Sequence, residues 1–198
     1  MKDLILHGML CGQTIRFSAI AGKQLVADAQ ATHSLSRVAT AALGRQLLMT
    51  SIIASQLKNQ TDTVTTVLAG NGPSGNLVCV GRYAGLVKGY ATEPAVELPL
   101  RADGKLDVGG YVGHSGKLTV IRDLGMKDPY VGMCNLVSGE IAIRQTVPSP
   151  LRRVFPSQRA FDAETAPACL YTRGVEKDNS ISRYPRGAPC IFYNRTVS

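Results

Sequence analysis

The sequence predicts an α+β fold in which one helix precedes a run of largely antiparallel strands. Three observations predict it. Apolar residues Val38, Ala41, Ala42, Leu48, Ile52 and Ile53 recur at helical spacing. Four β-branched or apolar runs then follow with no helical pattern between them, the order expected of an α+β domain. Glycine, at 20 of 198 residues, supplies the tight turns that such a sheet needs.

Taken in order, Thr14–Ile20 alternates like a strand, and Ala21-Gly22-Lys23 offers a turn. Ser34 or Ser36 can cap the helix, which should run to about Lys58. Ala41, Ala42 and Gly44 are small enough to let another element approach closely. Strands are expected at Thr63–Leu68, Asn76–Tyr83 and Gly85–Tyr90. Tyr111-Val112 and Lys117–Arg122 read as a hairpin around His114-Ser115-Gly116. From residue 143 the pattern ends. Pro148, Pro150, Pro156, Pro167, Pro185 and Pro189 break every period, so residues 143–198 read as an irregular, disordered tail behind a domain at 1–142.

The net charge of +8 suggests nucleic acid, but its distribution argues otherwise. Residues 1–142 hold 13 basic and 10 acidic residues, whereas the tail holds 9 and 4. The basic residues of the first part are scattered, without the clustered patch and stacking aromatics that nucleic acid requires. Cys11, Cys79, Cys134, Cys169 and Cys190 form no close pair and no framework, which fits free thiols in a reducing compartment. Leu4–Leu10 is too short for a leader, contains His7 and follows Asp3. No stretch reaches the roughly 18 apolar residues of a membrane span, so a soluble, cytoplasmic chain is expected.

Candidate chemistry is sparse. Gly70-Asn-Gly-Pro-Ser-Gly75 resembles a phosphate loop, yet Pro73 lacks an amide donor, no lysine follows and a strand comes next. A glycine turn between strands accounts for it. Ser138 has Gly139 on one side but Val137 on the other, which does not make a nucleophile elbow. His33 has no nucleophile to serve. Asp103, Asp107, Asp123 and Asp128 sit beside or near glycine or proline, as turn residues do. No catalytic, cofactor-binding or metal-ligating set is expected.

Several segments together resemble one family, the redox-regulated bacterial heat-shock holdase called the 33 kDa chaperonin. They are Asp3-Leu-Ile5 with Arg16, His33 through Ala41-Ala-Leu-Gly-Arg45, Leu57-Lys58, Gly70–Gly75, Val87-Lys-Gly-Tyr90 and Pro94. The densest run extends from Lys105-Leu-Asp-Val-Gly-Gly-Tyr-Val-Gly113 through Asp123-Leu-Gly125 and Pro129-Tyr130 to Ser138-Gly-Glu-Ile-Ala142. The resemblance implies a core of two crossed, largely antiparallel sheets with flanking helices. It implies a protein that binds unfolded clients without ATP under oxidative stress, not an enzyme. Members of that family carry a further linker and a zinc domain whose paired cysteines form a redox switch.

Arg37 stands where that family has proline, and everything after Ala142 departs from its pattern. The expectation is therefore a holdase-like core, itself incomplete, without its switch, prone to self-association and indifferent to peroxide. An arginine- and proline-rich segment starting inside a matched motif is what a reading-frame shift produces; a divergent appendage is the alternative. Two other readings remain open, a nucleotide or small-molecule enzyme using Gly70–Gly75 and a non-functional gene product.

Cys169 and Cys190 stand alone, so they cannot be equated with the paired zinc ligands, and tight zinc binding is not expected. Metal analysis of the purified chain should find no stoichiometric zinc. Zinc that is lost on mutating Cys169 or Cys190 would contradict this.

Overall fold

The computed structural model describes residues 3–10, 15–136, 139 and 141, together with the strands at 168–173 and 191–196. Strands β1 (Leu4–Leu10) and β2 (Ile15–Ala21) form an antiparallel pair, followed by helices α1 (Lys23–His33) and α2 (Arg37–Ala54). Then come β3 (Thr63–Gly70), β4 (Asn76–Arg82), β5 (Leu86–Ala91), a short helix α3 (Val108–Val112), β6 (Gly116–Asp123) and β7 (Tyr130–Asn135). Strands β8 (Ala168–Arg173) and β9 (Ile191–Thr196) flank the first pair in the order β8-β2-β1-β9. The larger sheet runs β5-β4-β3-β6-β7, antiparallel throughout. The α+β class and its antiparallel sheets are as predicted. Most of the tail lies outside the described residues.

Helix α2 organises the core. Ser36 is its N-cap, accepting a hydrogen bond from the Ala39 amide at 3.1 Å, while Ser34 is the left-handed C-cap of α1. A serine cap of this kind contributes about 1 kcal/mol. Arg37, at the first helical position, uses its amide to donate to Glu97 Oε1 at 3.2 Å, a bond that proline could not make. The helix stops at Ala54, short of the expected Lys58, because Gln56 and Leu57 turn back onto the carbonyls of Ile53 and Ala54. One side of α2 (Val38, Ala39, Ala42, Leu43, Leu47) packs with Val64, Leu68, Leu77, Leu118 and Val120 of the larger sheet. Ile52 joins Ile5 and Ile20 of the β1–β2 pair in a second cluster. Each of these large side chains contributes about 1.5–3 kcal/mol on burial.

A buried polar strip fixes the helix on the sheet. The Gln46 Nε2 amide donates to Thr66 O and Leu77 O, both at 3.1 Å. The Thr50 and Thr66 hydroxyls lie 2.7 Å apart, and Thr50 also donates to Gln46 O. Buried polar groups are costly unless paired, so sliding the helix by one turn would orphan several at once. Cys79 lies beside this strip. Burial pushes its thiol up to about 12, against a lowering hydrogen bond from Thr50.

Helix α1 and the segment 111–122 differ from expectation. Helix α1 was not expected; only the turn at Ala21-Gly22-Lys23 is legible there. It has no fully buried residue, so its apolar pattern is too weak to read. It is instead started from outside. Asp3 accepts hydrogen bonds from the Gln24 and Leu25 amides at 2.9 and 2.7 Å, supplying the anionic cap that Gly22 lacks. The predicted hairpin at 111–122 is also absent. Tyr111 and Val112 belong to helix α3, and β6 pairs with β3 and β7. Asp107 wins that segment for the helix, accepting from the Gly110 amide at 2.8 Å.

The predicted close approach at Gly44 is present: a Cβ there would lie 2.9 Å from Val26 Cγ1 on α1. Gly44→Val should lower the free energy of unfolding by about 1–3 kcal/mol, overpacking outweighing the small gain in helix propensity. Urea unfolding measures it. A second expectation concerns alkali. The unfolded Cys79 thiol ionises near 9 and the folded one near 12, so the unfolded state loses its proton first. Stability should therefore be intact below pH 9 and fall as pH rises towards 12. Tyr111, raised from 10 to about 12 chiefly by burial, adds to the fall above pH 10. Denaturant midpoints measured across that range should decline, and Cys79→Ala should flatten the part nearest pH 9.

Candidate binding surface

Among the described residues the five-stranded sheet is covered on one face only. Along β3 the residues alternate, with Val64, Thr66 and Leu68 buried beneath α2 and Thr63, Thr65, Val67 and Ala69 pointing the other way. The registers carry this alternation across all five strands. One row of the opposite face reads Tyr90, Val78, Val67, Thr119, Met133 from edge to edge. The next reads Lys88, Val80, Thr65, Ile121, Val131. None of these residues belongs to either core cluster. Polar residues bound the two rows, with Arg82 and Asp123 at one end and Asn76, Lys117 and Asn135 at the other.

Exposure agrees with this geometry. Among the described residues seven large apolar side chains are exposed, and four of them lie on this face: Leu86 (50%), Tyr90 (50%), Val131 (50%) and Met133 (62%). Isolated exposed apolar residues are ordinary; two contiguous rows rimmed by polar groups mark an interaction surface. Covering about 300 Å² of apolar area on such a face contributes about 7 kcal/mol before ordering costs are subtracted. The face can adsorb apolar chain segments. It holds no set of groups arranged for bond chemistry.

The glycine-rich turn at 70–75 is not part of this surface. Three of its amides are committed to α3 and the loop beside it. Asn71 donates to Ser115 O at 2.8 Å, Gly72 to Val112 O at 3.0 Å and Ser74 to Tyr111 O at 2.9 Å. Pro73 has no amide to give. A phosphate would have to displace α3 to be cradled there. The packing is close: a Cβ on Gly72 would fall 2.4 Å from Tyr111 O, and one on Gly70 within 1.8 Å of Val112 O. Tyr111 closes the cluster, its hydroxyl donating to Glu93 O at 2.7 Å, while the Ser36 amide donates to Pro94 O at 2.9 Å. A Cβ on Gly139 would meet Gly113 O at 2.3 Å. The segments at 70–75, 93–94, 107–113 and 139 are thus one interlocked unit.

The other candidate residues are dispersed. His33 is exposed at the end of α1. Asp103 and Asp123 accept from the Lys105 and Gly125 amides two residues on, as turn residues do. Ser138 lies outside the described residues, as do Cys11 and the side chains of Cys169 and Cys190. Cys79 and Cys134 are buried on β4 and β7 with β3 and β6 between them. Three strand spacings, about 14 Å, keep these two thiols from sharing a metal ion. Sequence reasoning missed β7 and hence this face. The signal available was the two-residue alternation of Val131 and Met133.

Comparison with known proteins places the chain in a family. A family model described as Hsp33 protein matches residues 3–147. A 33 kDa chaperonin of Carboxydothermus hydrogenoformans is 50% identical over 142 residues, 72% of this chain and 49% of the relative. One from Thermosynechococcus vestitus is 45% identical over 142 residues, 72% of this chain and 48% of the relative. The crystal structure of the 33 kDa chaperonin of Thermotoga maritima superposes with a TM-score of 0.66 at 38% identity, over 72% of this chain and 48% of that one. The chain therefore spans about half the length of the relatives it matches. Over that half, sequence and fold agree, and the chain belongs to the Hsp33 family.

Proposed function

We propose that this chain is an ATP-independent binder of unfolded proteins whose holding surface is the uncovered face of the five-stranded sheet. The observation that carries the reading is the pair of apolar rows from Tyr90 to Met133 and from Val80 to Val131, exposed at Tyr90, Val131 and Met133, half-buried between, and rimmed by polar residues. An unfolded chain offers apolar residues without fixed shape, and a broad apolar face receives them without needing a pocket. Membership of the Hsp33 family and the name chaperonin carried by its relatives support this reading. Among the described residues no helix is long and apolar enough to cross a membrane.

The rival reading, an enzyme that binds a nucleotide at Gly70–Gly75, is disfavoured by the commitment of that turn's amides to α3. A nucleotide titration should give no shift. Holding should also be independent of peroxide. Among the described side chains the cysteines are Cys79 and Cys134, both buried with thiols raised by desolvation, and oxidation proceeds through the exposed thiolate.

Light scattering of a thermally unfolding client tests the reading. The reduced chain should suppress scattering, and peroxide-treated chain should do so equally. Replacing Tyr90 and Val131 together by serine should weaken suppression several-fold with the folded state retained. Unaltered suppression by that variant would refute the surface; suppression appearing only after oxidation would refute its independence of redox state.

A further inference from the structure

Resting on that reading, we propose that the free edge of β7 takes an extended segment of unfolded chain as a sixth strand, with apolar residues at alternate positions. Hydrogen-bond parity identifies the groups that would receive it. Leu136 donates its amide to Gly116 O, and Asn71 donates to Ser115 O on the other side of β6. Both bonds put the backbone groups of Gly116, Leu118, Val120 and Arg122 towards β7. Their partners Cys134, Gly132 and Tyr130 therefore face inward to β6. The amides and carbonyls of Val131, Met133 and Asn135 face outward, and among the described strands β7 pairs with β6 alone.

Nothing in this strand repels a partner. Tyr130–Asn135 contains no charged residue and no proline, the devices that ordinarily blunt an edge. The opposite edge differs. Strand β5 carries Lys88, and α1 and α2 pack against it. Its parity, set by Thr92 donating to Asn76 O, turns Val87, Gly89 and Ala91 outward, and Ala91 is buried. The two edges are thus unequal, and β7 is the open one.

The occupant follows from the side chains. Val131 and Met133 end the two apolar rows of the uncovered face. In antiparallel pairing, residues opposite them lie on that same face and point their own amides at β7. A segment with apolar residues at i and i+2 therefore lengthens both rows while its backbone satisfies the edge. Folded proteins keep such backbone groups paired internally; an unfolded chain has them free. The edge selects for extended, unpaired backbone, and the rows select for alternating apolar residues.

The test uses the full chain and a short capped peptide of alternating valine and serine, labelled for fluorescence anisotropy. Two isomers carry N-methyl groups, one on the valines and one on the serines, with equal composition and apolar area. With valines on the uncovered face, valine amides point at β7 and serine amides point away. Methylating the valines should weaken binding by about tenfold or more, since each lost edge bond is worth a several-fold factor. Methylating the serines should leave it within about twofold of the parent peptide. Met133→Pro, which removes an outward amide but no bond to β6, should mimic the first effect and lose more than Met133→Ser, which removes the same apolar side chain but keeps the amide. If the proline variant does not fold, the two isomers decide with the unaltered chain.

Equal binding of the isomers, with client aggregation still suppressed, overturns the sixth strand and leaves the proposed function standing. Discrimination between isomers by a chain that does not suppress aggregation overturns the function and leaves the edge. A concentration-dependent dimer, abolished by Met133→Pro in a chain that binds no peptide, assigns the edge to a second copy and overturns the proposal.

Discussion

One helix lies on one face of a five-stranded sheet, and the rest of the molecule depends on that one-sided contact. Helix α2 buries Val38, Leu43 and Leu47 against Val64, Leu68 and Leu77, and its far end reaches Ile5 and Ile20 of the first strand pair. The Gln46–Thr50–Thr66 strip fixes where along the sheet the helix sits. With α2 and its neighbouring helices on one face and a strict two-residue alternation, the second face of the sheet carries no helix among the described residues. Ordinarily that face is polar. Here its middle rows are Val, Ile, Tyr, Met and Thr with Lys88 at one edge, and this mismatch between pattern and cover is what singles it out as the proposed binding surface.

The densest sequence motif has a different role. Lys105–Gly113, Gly70–Gly75 and Gly139 are crowded with glycine because backbone meets backbone there, with carbonyls where a Cβ would be. Such positions allow few substitutions, so the motif identifies the family while holding no reactive group. Asp3 at the start of α1 and Pro94 at the start of α2 act similarly, closing helix ends from elsewhere in the chain. The family resemblance and the proposed binding surface thus sit on different parts of the molecule: a glycine-packed joint at one end of the sheet, and an apolar face across it.

This separation explains what could be read from the chain alone. Helix α2 was legible because its apolar residues are buried at helical spacing, and β3, β4, β5 and β6 because β-branched residues are dense in them. Ser36 was legible as a cap, though Ser34 offered the same chemistry and only the structure assigns it to the end of α1. Helix α1 was hidden because its cap, Asp3, comes from twenty residues away and its side chains are not deeply buried. Residues 111–112 have strand-like composition, but Asp107 and the contacts of Tyr111 hold them in a helix; tertiary context overrides local preference. The binding face was the least legible part. It consists of half-buried residues from five strands, brought into rows by pairing registers that no single segment encodes.

The central claim is that unfolded chains rest on the uncovered face of the sheet. Methyl-resolved NMR with a reduced, alkylated and permanently unfolded polypeptide tests it most directly. The account predicts that signals of Val67, Val78, Val80, Ile121, Val131 and Met133 shift or broaden together as the polypeptide is added, while Leu43, Leu47, Val64 and Leu77 beneath α2 stay unchanged. Perturbation confined to the helix side, or to residues outside these rows, would contradict it.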